Sequence, residues 1–75
     1  MKTADKKFLK ALGKRIKELR ESQKISQNQL AYESNIHRTH INRIEKGKLD
    51  PGITKLLSIA NALDLHLKEL YNFEY

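Results

Sequence analysis

The apolar residues of the chain recur at steps of three and four, the spacing that places side chains on one face of an α-helix. The pattern from Lys6 to Leu19 predicts a long amphipathic helix, which is expected to end near residues 22–24. Shorter helices are predicted over about 26–34, 37–46, 53–63 and 67–72. No segment alternates with the period of two that a half-buried strand requires. The sequence therefore predicts an all-α fold of five helices, with residues 1–75 forming a single domain.

Local residue choices predict where these helices begin and end. Residues 26–29, Ser-Gln-Asn-Gln, have the spacing of a capping box, in which Ser26 accepts from the Gln29 amide and the Gln29 side chain returns to the Ser26 amide. Asn35 and Gly47 belong to the residue types that enter the left-handed conformation most cheaply, so each is expected to end a helix. The sequence Leu-Asp-Pro-Gly at 49–52 predicts a turn before the fourth helix.

The hydrophobic core is predicted from the apolar positions that share a helix face. The fourth helix has the widest apolar stripe, which includes Ile53 and Leu57, and is expected to be the central one. Gly13 lies inside the first helix and, by intrinsic propensity, costs it about 1 kcal/mol relative to Ala. The positions expected to be buried are Leu12, Ile16, Leu19, Leu30, Ile41, Ile44, Leu56, Ile59, Ala60 and Leu63.

Charge is distributed unevenly along the chain. The 15 Lys and Arg residues exceed the 9 Asp and Glu residues, for a net charge of +6. Residues 1–48 contain 13 basic and 5 acidic groups, net +8, whereas residues 49–75 contain 2 and 4, net −2. Such a balance favours an anionic partner. The lysines of the first helix are expected mainly to solubilise its outer face, and they are Lys6, Lys7, Lys10, Lys14 and Lys17.

Several other kinds of chemistry are not favoured. The chain has no cysteine, which excludes disulfides and thiolate zinc sites. His37 and His40 are three residues apart with Glu33 nearby, but three ligands would have to converge across a turn, so no metal site is expected. The serines lack a His and a carboxylate at a recognisable spacing and no Gly-rich phosphate loop occurs, so neither an enzyme, a cofactor nor a small-molecule ligand is predicted. Without an apolar signal segment or a run of 18 apolar residues, a cytoplasmic, nucleoid-associated protein with no membrane partner is expected.

Residues 26–46 carry a more specific pattern. A capped short helix, the small Ala31 where two helices would cross and a turn at Asn35 precede a helix rich in Arg, His, Asn and Thr. The motifs S-Q-x-x-L-A, I-x-x-I-E-x-G, the proline after them and L-x-x-I-A-x-A-L are similar to those of the XRE-type helix-turn-helix family of phage repressors and Cro-like regulators. The resemblance covers about Leu12 to Tyr71 and implies a compact five-helix, lambda-repressor-like DNA-binding domain. The stretch LAYESNIHRTHINRIEKG and the short chain most resemble restriction-modification controller proteins.

The resemblance implies roles for individual residues in binding double-stranded DNA. Base contacts are expected from Arg38, Thr39, Arg43 and His37. This choice agrees with chemistry, because Arg donates two hydrogen bonds to guanine and the Thr methyl group contacts thymine. Phosphate contacts, which position a protein without specifying sequence, are expected from Gln27, Lys46, Lys48, Asn42 and His40.

Two further features follow from the resemblance. Arg20 and Glu45 correspond to a structural salt bridge between the first and third helices. Asn35 stands where the family usually has the turn glycine, and Asp64 stands where a glycine often ends the fourth helix. Both residue types tolerate the left-handed region, so the fold is expected to survive.

The C-terminal segment, residues 65–75, is more apolar than a terminal turn requires, which favours self-association. The expected interface residues are Leu67, Leu70, Tyr71, Phe73 and Tyr75. The sequence therefore predicts a homodimeric regulator of transcription, repressor or activator, that recognises a pseudo-palindromic operator. RNA polymerase is a candidate further partner through Glu33. Two alternatives stay open: an antitoxin-like or phage repressor-like module whose main partner is another protein, and charge-driven, non-specific nucleic-acid binding.

Overall fold

Within residues 3–75, five helices account for most of the structure. The computed structural model describes residues 3–75, with side-chain environments from residue 5 onward. Helix α1 spans Thr3–Ser22, α2 Gln27–Ser34, α3 Arg38–Glu45, α4 Gly52–Ala62 and α5 Leu67–Leu70. Residues 3–75 contain no strand, which confirms the predicted all-α fold. Over the same residues, none of the helices has the combined length and apolar character that crossing a membrane would require.

Four of the five helices end in the same way. Lys24, Asn35, Gly47 and Asp64 adopt left-handed backbone conformations, with φ of 59°, 57°, 72° and 57°. In each case the next residue donates its backbone N–H to a carbonyl five positions earlier, at 2.9–3.2 Å. This is the Schellman arrangement, which satisfies carbonyls at the helix end. The endings at Asn35, Gly47 and Asp64 are as expected, whereas the sequence pattern did not indicate Lys24.

The predicted capping box of α2 is only half formed. The Ser26 hydroxyl accepts from the Gln29 backbone N–H at 3.0 Å. The Gln29 side chain does not return to Ser26; its Nε2 donates to Glu33 Oε1 at 3.0 Å. Glutamine reaches a carboxylate one turn later on the same helix face, and a charged acceptor makes the stronger hydrogen bond.

The core forms where the apolar faces of the helices meet. Nine of the ten predicted core residues are buried, and Leu19 is half-buried at the edge. The apolar stripe of α4 is narrower than predicted, because Ile53 is 59% and Leu57 48% exposed. Helical spacing places these two residues together on one face, so they form an exposed apolar ridge outside the core.

Gly13 permits a close crossing of α1 and α3. A Cβ atom at this position would collide with the Ile44 carbonyl oxygen and lie 2.6 Å from that of Glu45. The crossing brings the C-terminal end of α3 onto the middle of α1. Glycine is therefore required here for packing, and its low helix propensity is offset by that contact.

Candidate nucleic-acid interface

Helices α2 and α3 are joined by the three residues 35–37, and the turn is fixed at both ends. Asn35 takes the left-handed conformation, and Ile36 is buried in the core with 7% of its surface exposed. Beyond the turn, Ile41 and Ile44 bury one face of α3. The remaining surface of α3 is polar, and its exposed residues are Arg38, Thr39, His40 and Arg43.

The buried end of α3 is connected to α1 by the predicted salt bridge, which is present. Arg20 donates two hydrogen bonds to the Glu45 carboxylate, from Nε at 2.7 Å and from Nη2 at 3.0 Å. Its remaining nitrogen, Nη1, donates to the Ile25 carbonyl at 2.7 Å. The hydrogen bonds to Glu45 raise the pKa of Arg20, against the opposing effect of burial. This fork-shaped pair fixes how α3 is oriented on the core.

Two of the predicted phosphate contacts take part in the same network. Gln27 Nε2 donates to Glu45 Oε1 at 3.0 Å, and Gln27 Oε1 accepts from Asn42 Nδ2 at 3.3 Å. Both side chains are half-buried. Gln27 is also the first residue of α2, where backbone N–H groups lack a partner within the helix and can bind a phosphate. Sequence reasoning did not foresee that these side chains connect α2 to α3.

His37 has a structural role that the sequence did not reveal. It is the N-cap of α3, and its Nδ1 accepts from the Thr39 backbone N–H at 3.1 Å. Histidine is not among the usual capping residues, so propensity gave no signal. With Nδ1 acting as an acceptor, the ring proton lies on Nε2. The exposed ring therefore presents a hydrogen-bond donor to anything that approaches α3.

The remaining predicted phosphate contacts lie on the exposed surface of α3 and just after it. Lys46 is the C-cap of α3, Gly47 follows in the left-handed conformation, and Lys48 is exposed. His40 lies on α3 itself, with its ring centroid 6.1 Å from that of His37. Apart from Gln27, which begins α2 and bonds to Asn42 and Glu45, the predicted DNA-contacting residues lie on α3 or next to one of its ends.

The C-terminal segment is partly folded back onto its own protomer. Leu70 is completely buried and offers no surface to a partner, which corrects its assignment to a dimer interface. Phe73 and Tyr75 pack on Phe8, and their ring centroids lie 5.5 and 5.2 Å, respectively, from that of Phe8. Tyr75 still exposes 70% and Tyr71 38% of its surface. The remaining predicted residue, Leu67, is half-buried against the core.

An apolar groove that the sequence did not indicate adjoins this segment. It has a volume of about 450 Å³ and is lined by residues of α1, the turn before α4, α4 and the C-terminal segment, including Phe8, Ile53 and Tyr71. Asp5 and Asp50 also line it. Leu57 lies one turn beyond Ile53 on α4. Ile53 and Tyr71 thus line the same groove, and Leu57 extends the exposed apolar face of α4 beyond it.

The family follows from comparison with known proteins. The model of the HTH_3 family, described as helix-turn-helix, matches residues 16–70. The chain belongs to the helix-turn-helix family. The match includes the α2–turn–α3 unit and extends through α5, so it covers the elements that form both the interface and the core beneath it. The expected resemblance is confirmed.

Curated relatives of this helix-turn-helix protein are named as regulators. The control protein C.BamHI of Bacillus amyloliquefaciens is 34% identical over 62 residues, which cover 81% of the present chain and 76% of the relative. The uncharacterized HTH-type transcriptional regulator y4dL of Sinorhizobium fredii is 39% identical over 56 residues, or 75% of the chain. The chain spans 29% of the length of y4dL and 44% of the immunity repressor protein of Bacillus phage phi105.

Solved structures share the five-helix fold. The restriction-modification controller protein C.AhdI of Aeromonas hydrophila superposes with a TM-score of 0.81 at 33% identity, covering 85% of this chain and 96% of that one. The controller protein C.Esp1396I, solved as a tetramer in complex with its natural 35 base-pair operator, has a TM-score of 0.75 at 29% identity, covering 87% and 96%.

Proposed function

We propose that this protein is a sequence-specific regulator of transcription that binds operator DNA as a homodimer, as a controller protein of a restriction-modification system. The observation that carries the proposal is the exposed polar face of α3, held on the core by the Arg20–Glu45 pair. The similarity to C.BamHI and C.AhdI supports the same function. In this proposal the protein acts in the cytoplasm on DNA and catalyses no reaction.

The dimensions of α3 suit the major groove. Its eight residues span about 12 Å, and the groove is about 12 Å wide. In that position Arg38, Thr39, Arg43 and the Nε2 of His37 would contact base edges. Lys46, Lys48, His40, Asn42 and the first backbone N–H groups of α2 would contact phosphates. This division places sequence recognition on α3 and general affinity at its margins.

A palindromic operator requires two copies of the chain. Half-sites one helical turn apart are separated by about 34 Å. The longest extent of the protomer is 31 Å, and the described residues contain one helix-turn-helix unit. We therefore propose a two-fold dimer formed through the apolar surface of α4 and the C-terminal segment, with Ile53, Leu57, Tyr71 and Tyr75 at its centre and Leu67 and Phe73 beside them.

The position of the operator determines the sign of regulation in this proposal. A dimer bound over a promoter excludes RNA polymerase and represses, whereas a dimer bound just upstream can recruit the polymerase and activate. Glu33, exposed on α2, is the proposed polymerase contact; its carboxylate accepts from Gln29.

The test is selection of binding sites from random duplex DNA at about 0.15 M salt, where long-range charge attraction is screened. Enrichment of a palindrome with half-sites one turn apart is the expected result. An Arg38→Ala/Arg43→Ala variant taken through the same selection should lose the base preference. A monomer that enriches no sequence would overturn the proposal and favour a module that binds another protein, as antitoxins do.

A further inference from the structure

Four lysines from two separate elements surround Gly47 at the end of α3. Lys6 and Lys10 of α1, with Lys46 and Lys48, line one depression of about 380 Å³ together with this glycine. All four side chains are exposed. Within the described part of the chain, no acidic residue lines the depression. We refer to the four residues as the lysine cluster.

Backbone packing fixes the lysine cluster relative to α3. A Cβ atom on Gly47 would lie 2.7 Å from Lys10 Cα and 2.9 Å from Lys10 N, so the backbone of α1 touches the end of α3 directly. Gly47 N donates to the Ile44 carbonyl at 3.0 Å, and Lys48 N donates to the Arg43 carbonyl at 2.9 Å. The four lysines therefore extend from the end of α3 and from the part of α1 that packs against it.

Lys48 occupies a position that is apolar at the other three left-handed helix ends. The residue after the left-handed one is Ile25, Ile36 or Leu65, and each is buried or half-buried. An apolar residue is favoured at this position because it packs against the preceding turn of the helix. At the end of α3 an exposed lysine replaces that contact. The Lys48 ammonium group is therefore open to a contact outside the protomer.

Lys6 also lies where folding alone disfavours a positive charge. It belongs to the first turn of α1, and the partial positive charge at a helix N-terminus repels cations. Among the described residues, ion pairs join Arg15 to Glu69 and Arg20 to Glu45, and neither involves the lysine cluster. Four neighbouring ammonium groups thus remain without a negative counterpart in the described structure, and an anionic partner would relieve their mutual repulsion.

We propose that the lysine cluster binds backbone phosphates of the duplex at the edge of the groove that α3 enters, which makes Lys6 and Lys10 DNA contacts. The inference rests on the proposed function. With α3 about as long as the groove is wide, its C-terminal end lies beside the phosphates. Two of the five lysines expected mainly to solubilise α1 thus belong to the binding surface, and they reach phosphates beyond those contacted by the helix-turn-helix unit.

The test compares two double variants of the full chain on the selected duplex. Lys6→Ala/Lys10→Ala removes half of the lysine cluster. Lys7→Ala/Lys14→Ala removes the same charge from the outer face of the same helix, where helical spacing places both residues opposite the core. Affinity is measured by fluorescence anisotropy between about 0.05 and 0.3 M salt. Circular dichroism checks that each variant keeps its helical content.

We expect a plot of log binding constant against log salt concentration to be less steep for the Lys6→Ala/Lys10→Ala variant than for the wild type. The slope should change by about 2 per protomer, since each lost phosphate contact contributes about 1. The affinity of this variant at about 0.1 M salt should fall at least fivefold, and the control variant should show less than half of either change. In a phosphate ethylation interference assay, ethylation of certain phosphates should block binding of the wild type. Ethylation of those same phosphates should no longer affect binding of the Lys6→Ala/Lys10→Ala variant.

Equal effects of the two double variants would overturn the inference, because the loss would then follow from net charge alone. An unchanged interference pattern would overturn it as well. Either outcome leaves the proposed function intact as long as the wild type binds its selected duplex. Failure of the wild type to bind any duplex would instead refute the proposed function, and this inference with it.

Discussion

At the scale of single residues, Glu45 is the group that most constrains the proposed interface. Its carboxylate accepts from Arg20 of α1 and from Gln27 of α2, so one side chain of α3 connects three helices. The side chains of Arg20 and Glu45 are only 9% and 2% exposed. A buried charge that loses its partner is strongly destabilising, because its desolvation is no longer compensated.

Replacing Arg20 with Ala should therefore lower the free energy of unfolding by about 3–5 kcal/mol. The matched comparison is Glu69→Gln, which weakens the Arg15–Glu69 pair, whose atoms are 3.7 Å apart and whose side chains are 23% and 40% exposed. That change should cost no more than about 1 kcal/mol. Urea unfolding at one fixed protein concentration measures both, and equal losses would contradict the structural role given to Arg20.

Substitution on the exposed face of α3 should affect recognition and leave stability unchanged. Arg43→Ala should weaken operator binding by about 1–3 kcal/mol and relax the preference at one base pair, because a bidentate contact to guanine is lost. Lys46→Ala should weaken binding to all duplexes alike. Anisotropy titrations against the operator and its single-base-pair variants distinguish the two. An Arg43→Ala variant that kept the full preference would remove Arg43 from the proposed base contacts.

At the scale of helices, sequence periodicity predicted the elements well, and the contacts between them poorly. The five helices and most of the core follow from local spacing, Asn35 and Gly47 mark helix ends by residue type, and Asp64 is indicated by the family resemblance. Lys24 gave no such signal, because lysine has no intrinsic preference for the left-handed region. His37 as a cap, and Gln27 and Asn42 in the Glu45 network, depend on which helices meet, and a local pattern does not contain that information.

Gly13 shows how such a contact reverses a local argument. By helix propensity, Gly13→Ala should stabilise α1 by about 1 kcal/mol. The crossing with α3 predicts the opposite, a loss of about 1–3 kcal/mol, because the new methyl group would displace the carbonyls of Ile44 and Glu45. Thermal unfolding measures the sign, with Lys14→Ala on the outer face of α1 as the control and an expected change within about 0.5 kcal/mol. A higher melting temperature for Gly13→Ala would show that the crossing is looser than described.

At the scale of the whole molecule, the basic residues and most of the exposed apolar residues lie in different parts of the chain. Helix α3 and the lysine cluster both lie within residues 1–48, which are net basic. The exposed apolar residues Ile53, Leu57, Tyr71 and Tyr75 lie in residues 49–75, which are net acidic. In the proposed dimer, one surface contacts DNA while the other joins the two copies. Each can then be disrupted without altering the other.

Ile53→Asp/Leu57→Asp should shift the protein towards monomer, because two carboxylates would be buried unpaired at the proposed interface. We expect the dimer dissociation constant to rise more than tenfold, which corresponds to about 1.4 kcal/mol. Sedimentation velocity over a range of concentrations provides the measurement. Tyr32→Ser, at a residue that is 85% exposed on α2, is the control and should leave the dimer unchanged. A double variant that stays dimeric would place the interface elsewhere.

Different residues of α3 attach the helix to its neighbours and face the solvent, and this separation has a consequence for protein engineering. Glu45 and Asn42 make the side-chain bonds that attach this helix to its neighbours, whereas Arg38, Thr39 and Arg43 make no side-chain hydrogen bond within the described part of the chain. A library randomised at positions 38, 39 and 43 should therefore consist largely of folded proteins and could be screened directly for new operators. Randomising position 37 or 42 would remove a helix cap or an interhelical bond at the same time. If α3 contacts DNA as proposed, substitution at these three positions should change DNA specificity without a compensating change elsewhere.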